Sequence, residues 1–407
     1  MRIPILRLAS RNILRHKLRT AMTLAAIVIG VCGIILTGGF VRDIFVQLGE
    51  SFIHSQSGHL QVARPEFFGE GSRRPEAFLI EDEEALKRLV AAQPGVAFAM
   101  GRLNFHGLLN NGRTDWAVIA EGVEPQLEAR LGSSLQYIAG TPLGVEDDNA
   151  IVIGEGVAQT LDLAPGDAVT LVVSTPEGAM NTLDFAVQGV FRTFSRDYDA
   201  RAVRLPLAAA QDLLATPGVS VIVVALEHTE DTALAKRRIA SAVQAQGLAV
   251  RDWQELNDFY EKTVALYERQ FGVLQLIILV MVLLTVTNTV NMAVFERQGE
   301  FGTMRALGNR GRDVFALVVT ESLLLGAIGA AIGIVLGILL ALTISTVGIP
   351  MPPPPNSNAG YTAYIRLVPD VIAGAGLVGM LAALFASLLP AWRVARTPIV
   401  DALRQNV

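Results

Sequence analysis

Four long apolar stretches dominate this chain, and they restrict it to folds that a lipid bilayer can accept. Between Arg19 and Arg42 stand 22 residues without an Asp, Glu, Lys or Arg. As a helix rising ~1.5 Å per residue this segment is ~33 Å long, enough to cross a hydrocarbon core of ~30 Å. A second uncharged run, 270–295, contains LQLIILVMVLLTV, and a third, 314–347, is interrupted only by Glu321. The fourth, 371–392, is bounded by Asp370 and Arg393. These runs predict four transmembrane helices, at 20–42, 270–295, 314–347 and 371–392. Only 17 % of the 407 residues are charged, against about 25 % in soluble domains. The first run is longer than a signal-peptide core and no A-x-A cleavage site follows it, so it reads as a retained helix. The single cysteine, Cys32, lies inside that run, which excludes an intrachain disulfide and a cysteine-rich metal site.

Charge asymmetry predicts the orientation. Residues 1–20 carry Arg2, Arg7, Arg11, Arg15, Lys17 and Arg19 and no acid. The 296–313 loop carries Arg297, Arg305, Arg310 and Arg312, and the 393–407 tail carries Arg393, Arg396 and Arg404, whereas the 348–370 loop has only Arg366. Both termini and the 296–313 loop are therefore expected in the cytoplasm, with 43–269 outside. That outer segment holds 18 basic and 32 acidic residues, a net charge of −14, which argues against nucleic acid as a partner. The remainder is net +9, which suits membrane lipids with anionic headgroups. Arg7, Arg11, Arg15 and Arg19 recur every four residues beside Ile5, Leu6, Leu8, Ile13 and Leu18. Residues 1–19 thus read as a helix lying in the inner interface, with a plain topology signal as the alternative.

The outer segment is long enough for two subdomains. SGHLQVAR (57–64) reads as a strand, 81–92 as a helix ended by Pro94-Gly95, and 96–109 as extended chain. The pattern returns as VSVIVVAL (219–226), a helix over about 231–246, and LAVRDW (248–253). Between them, about 110–205, WAVIAEGV, NAIVIG, DAVTLVV and LDFAVQGVFRTF predict a β-rich insertion splitting an α+β layer. No catalytic constellation emerges. The five histidines (His16, His54, His59, His106, His228) form no H-E-x-x-H, and His54 and His59 read as structural. The acids Glu81, Asp82, Glu83 and Glu84 read as a solvated helix start, and neither a G-x-S-x-G elbow nor a G-x-x-x-x-G-K-[ST] phosphate loop occurs. No enzyme activity, metal site or cofactor is expected on this chain.

The most informative stretch is 296–308, ERQGEFGTMRALG, a short basic-side loop joining two spans. Phe301, Met304 and Leu307 fall at three-residue spacing and predict an apolar ridge, leaving Glu296, Glu300 and Arg305 to face water or a partner; Gly308 can end the helix. The wording resembles E-R-x-x-E-[IV]-G-x-x-R-A-x-G, the coupling-helix signature of ABC permeases of the MacB/LolC/LolE/FtsX-like superfamily. Glu296, Arg297, Glu300, Gly302, Arg305, Ala306 and Gly308 match by position, and Phe301 stands where a branched aliphatic residue is usual. The tail 390–404 resembles that superfamily's P-A-x-x-A-x-x-x-P-[IV]-x-A-L-R ending, with one extra residue before Pro398. Gly154, Leu161, Gly166 and Asp167 look like its smaller outer subdomain, and SGHLQV (57–62) is most similar to the lipoprotein-releasing LolC/LolE-type branch.

The resemblance implies a non-catalytic permease subunit in the inner membrane. Its periplasmic domain would comprise a porter-like layer and the β-rich insertion. It also implies a second permease chain, a homo- or heterodimer partner, and a separate ABC ATPase subunit that holds ATP and Mg and docks on 296–308. Work would pass to the periplasm by mechanotransmission, releasing lipoproteins or other lipophilic substrates. The alternatives are MacB-like efflux of small molecules or peptides with a periplasmic adaptor, and a membrane scaffold or receptor that transports nothing. Gly326, Gly329, Gly333 and Gly337 on the third span predict close helix packing or a sliding surface. Glu321 reads as a buried hinge contact or as a side chain snorkelling to the interface.

Overall fold

The computed structural model describes residues 8–9, 11–12, 15, 17–70, 75–132, 135–144, 149–353, 360–399 and 402. It comprises two compact units. One is a helical bundle (Met1–Phe45, Thr263–Pro350, Thr362–Val407); the other is an extramembrane domain (Val46–Lys262 with Met351–Tyr361).

Helix α1 (Lys17–Phe52) is followed by a π-helical turn, Ile53–Ser57. Gly58 then adopts φ +64°, and a Cβ there would lie 2.5 Å from Val223 Cγ1, so both backbone conformation and space demand glycine. The domain continues through β1 (Leu60–Ala63), α2 (Glu83–Ala91), β2 (Val96–Asn110), β3 (Asp115–Val123), α3 (Pro125–Leu131), β4 (Gln136–Gly140) and β5 (Ala150–Gly154). There follow α4 (Glu155–Leu161), β6 (Ala168–Ser174), β7 (Met180–Arg192), β8 (Ala202–Pro206), α5 (Leu207–Leu214), β9 (Val221–Leu226), α6 (Thr232–Val243) and β10 (Ala249–Asp252). The chain then enters α7 (Asp258–Glu296), α8 (Gln298–Ala306), α9 (Gly311–Val347) and α10 (Pro369–Arg396).

Both strand–helix–strand units appear where the sequence places them. Asp82 caps α2 by accepting the Ala85 amide at 3.2 Å, so the first acid of that turn is an N-cap. Around the insertion the structure differs from expectation. One sheet, ordered β10-β1-β9-β2-β3-β8-β5-β7-β4 with β6 paired to β2 and β7, runs through layer and insertion alike. The reason is the length of β2. Its 15 residues, roughly 50 Å of extended chain, pair with β9 as far as Arg102 and with β3 from Arg102 to Asn110. Each lobe has its own main apolar core. Leu60, Leu86, Val90, Ile222 and Ile239 fill the α+β lobe. Phe105, Ile151, Ile153, Leu171 and Phe185 fill the β-rich lobe.

Among the described residues, four helices are long and apolar enough to span a membrane: Thr20–Ser57, Tyr260–Glu296, Gly311–Val347 and Pro369–Arg396. They overrun the charge-free segments because backbone hydrogen bonding continues past the apolar boundary. The α9 glycines form a groove. A Cβ on Gly329, Gly333 or Gly337 would stand 2.9, 2.9 or 3.0 Å from Ile27, Val31 or Ile35 of α1, and one on Gly326 would stand 2.8 Å from Ala383 of α10. Ile27, Val31 and Ile35 also recur every four residues, so a β-branched ridge seats in a glycine groove. At the far end of α1, the buried Asp43 accepts from Arg366 Nε at 2.9 Å and from the Tyr364 amide at 2.7 Å. Of the N-terminal stripe, Leu8 and Ala9 pack into the bundle core while Arg11 and Arg15 are exposed. Arg2, Ile5, Leu6, Arg7, Ile13, Val400, Asp401, Leu403 and Arg404 lie outside the described residues.

Candidate coupling site

Residues 296–308 fold largely as α8, separated from α7 by one non-helical residue, Arg297 (φ −103°, ψ 14°). Gly308 at φ +97° ends the segment, and the Arg310 amide donates to Asp313 Oδ2 at 2.8 Å as α9 starts. The break at Arg297 turns its side chain into the bundle. Nη1 donates to Glu321 Oε2 at 2.8 Å and Nε to Glu300 Oε2 at 2.9 Å, with the guanidinium 5.0 Å from the centre of the Phe301 ring. The other oxygen of Glu321 accepts from Asn12 Nδ2 at 2.6 Å, and that of Glu300 from Arg15 Nη1 at 3.2 Å. One polar chain, Asn12–Glu321–Arg297–Glu300–Arg15, thus ties the N-terminal segment, α9 and α8 together. It borders a cavity of about 60 Å³ whose lining includes Thr20, Thr23 and Ser322. Burial opposes the charge of Arg297, but Glu321 and Glu300 more than offset it and hold its pKa above the ordinary value.

Glu321 is therefore bonded inside the bundle, its side chain only 14 % exposed, and does not snorkel. The expected apolar ridge divides. Phe301 is 2 % exposed within the bundle core and Met304 packs beside it, whereas Leu307 is 82 % exposed. Leu307 leaves the ridge because it is the C-terminal cap of α8, where helical periodicity stops. Gly299 and Gly302 are buried; Glu296, Glu300, Thr303, Ala306, Leu307 and Gly308 are exposed. Arg305 faces its own chain and donates to the Thr397 carbonyl. Asn12, Arg15 and Thr397 were not anticipated at this site; only folding brings them to it.

Two histidines, His54 and His59, are engaged in hydrogen bonds. His59 Nδ1 accepts the Leu226 amide at 3.2 Å, so its Nε2 carries the proton toward Thr229 Oγ1 at 3.1 Å. Burial, then the neighbouring His54, depress the His59 pKa to about 4. His54 instead has two acceptors, Leu131 O at 3.0 Å and Glu50 at 3.3 Å. Among the described residues no group of three or more His, Cys, Asp or Glu is arranged to hold a metal ion.

A four-span bundle, a sheet domain inserted after the first span and an anchored short helix between the second and third spans define a membrane permease architecture. Residues 20–242 match the MacB-like periplasmic core domain and residues 272–399 the FtsX-like permease C-terminal domain. The chain belongs to this MacB-like family, as an ABC transporter permease of the LolC/LolE/MacB type. It is 26 % identical over 326 residues to the lipoprotein-releasing system transmembrane protein LolE of Haemophilus influenzae, covering 76 % of this chain and 78 % of that protein. It is 23 % identical over 410 residues to the LolC protein of Neisseria meningitidis serogroup B, covering 95 % and 94 %. The periplasmic region of MacB from Actinobacillus actinomycetemcomitans aligns with 51 % of this chain and 94 % of its own at 14 % identity and a TM-score of 0.38.

Proposed function

We propose that this chain is the non-catalytic permease subunit of a lipoprotein-releasing ABC transporter. A separate ATPase subunit holding ATP and Mg docks on the exposed face of the 296–308 segment, through Glu296, Glu300, Thr303, Ala306 and Leu307. A second permease chain completes the pair. The observation that carries this reading is the anchoring of α8: Arg297, Phe301 and Met304 fasten it to the bundle, so a push on its outer face is passed to α9 rather than absorbed by a loose loop. The basic flanks of the spans support a cytoplasmic side for α8 and both termini and a periplasmic side for the sheet domain, in the inner membrane. ATP-driven closure of the ATPases then moves the bundle and does work on lipophilic substrate at the outer leaflet. The relatives named for lipoprotein release support that substrate class.

The test is an affinity pull-down of the tagged chain in mild detergent, with co-purifying chains identified by mass spectrometry. Recovery of an ABC ATPase that is lost in Glu300→Arg is the expected result. Reproducible absence of any ATPase from an otherwise intact complex refutes the reading. A periplasmic adaptor in the eluate would shift the substrate to small molecules or peptides, as in MacB-type efflux.

A further inference from the structure

Four charged side chains lie buried together in the extramembrane domain: Arg204 is 1 % exposed, Arg102 2 %, Glu121 6 % and Glu128 8 %. Their positions are specific. Arg102 is the residue of β2 that faces Val221 of β9 on one side and Val123 of β3 on the other, where β2 passes between the two lobes. Glu121 and Arg204 are direct register partners on the parallel strands β3 and β8, and Glu128 comes from α3. Arg204 donates through Nε to Glu121 at 3.0 Å, through Nη1 to Glu128 at 2.8 Å, and through Nη2 to Tyr198 Oη at 3.0 Å. Arg102 Nη2 meets both oxygens of Glu128, at 2.8 and 3.1 Å.

Each arginine also has a donor aimed at backbone. Arg204 Nη2 reaches the Ser55 carbonyl at 2.8 Å and Arg102 Nη1 reaches the Gln56 carbonyl. Those carbonyls belong to the π-helical turn that ends the first long helix, where the last C=O groups have no partner within the helix. The adjoining His54 bonds the Leu131 carbonyl at the end of α3, so the turn is tied on a second side. Stability alone does not account for such a cluster, since well-packed apolar side chains usually serve as well as or better than buried ion pairs. What apolar side chains lack is a planar fork that reaches backbone carbonyls while being held by two carboxylates.

We propose that Arg102, Arg204, Glu121 and Glu128 are positioning residues forming a rigid joint. They fix the end of α1 to β2, β3 and β8 at the crossover of the two lobes, so that displacement of that helix carries the whole sheet. The consequence for transport rests on the transmitter role proposed above; the joint itself does not.

The test is hydrogen exchange of the full-length chain in detergent, read by mass spectrometry, with thermal unfolding measured in parallel. In the quadruple variant Arg102→Met, Arg204→Met, Glu121→Leu, Glu128→Leu, the unfolding midpoint should hold within a few degrees. Amides 53–57 should exchange at least tenfold faster, with β5 and β7 unchanged. Should that variant fail to fold, Glu121→Gln decides, with faster exchange confined to 53–57 expected. Wild-type protection of 53–57 in a folded variant, or acceleration spread evenly over the sheet, overturns the joint. In the complex with its ATPase, the folded quadruple variant should keep ATP turnover and lose substrate release; retention of both also overturns it. If no ATPase accompanies the wild-type chain, the proposed function fails while the exchange measurement still decides the joint.

Discussion

Two ion networks of this molecule use the same residue types to different ends. In the extramembrane domain Arg102, Arg204, Glu121 and Glu128 are enclosed, with both Glu128 oxygens and Glu121 Oε2 paired to guanidinium. At α8 the chain Asn12–Glu321–Arg297–Glu300–Arg15 begins inside the bundle and ends in solvent, with Glu300 44 % and Arg15 69 % exposed. An enclosed network resists rearrangement because separating any pair strands a charge in a low-dielectric interior. A network open at one end can exchange its outermost partner at little cost, since exposed pairs contribute only about 0–1 kcal/mol. The first suits a joint and the second suits a surface that must meet another protein.

The sharpest way to break this contrast is Arg204→Ala, which leaves Glu121 and Glu128 underpaired inside the domain. It should destabilise the domain by about 3–5 kcal/mol, read as a large fall in its thermal midpoint. At α8 the equivalent cut, Arg297→Ala, should cost roughly 1–3 kcal/mol because Glu321 keeps only Asn12. Hydrogen exchange should show α8 amides opening while the sheet is unaffected. Gly333→Leu probes the bundle without touching either network. The added side chain meets Val31, and overpacking of about 1–3 kcal/mol should lower detergent stability, whereas Gly374→Ala, whose added Cβ meets nothing within 4 Å, should not.

A pH titration separates the regions further. His59 has a folded pKa of about 4, below its unfolded value of about 6.5, because burial and then His54 disfavour its charged form. Protons therefore bind the unfolded chain more tightly, and its contribution to domain stability falls as pH drops from about 6.5 to about 4. Unfolding followed between pH 7 and 4 should show a destabilisation on acidification that is smaller in His59→Gln. The smallest stability effect belongs to Glu300→Ala, at most about 1 kcal/mol, yet this variant should lose most of the co-purifying ATPase. An unchanged pull-down would remove Glu300 from the docking face.

How much of this was legible beforehand differs by region. The spans were legible because charge is excluded from hydrocarbon, and the 296–308 segment because its spacing is distinctive. The ridge of Phe301, Met304 and Leu307 was only partly legible. Spacing predicted a shared face, while the cap at Leu307 and the packing of Phe301 divided it. The insertion boundary was blurred for a related reason, since nothing in the one-dimensional pattern says that β2 serves two lobes. Arg102, Glu121, Glu128 and Arg204 gave no signal, being ordinary charges scattered across an acidic segment.

The amino-acid sequence by itself determined what each segment can tolerate around it: which stretches must avoid water, where glycine lets helices approach, and where a short amphipathic helix interrupts the membrane pattern. Those are local properties, set by side-chain hydration and backbone freedom within a few turns of chain. Which charges meet, and whether their partners leave them open to solvent, was decided only by tertiary structure. Polar contact at hydrogen-bond distance is a three-dimensional coincidence: Arg204 reaches the Ser55 carbonyl across 149 residues and Asn12 reaches Glu321 across 309. No pattern along the chain encodes such separations.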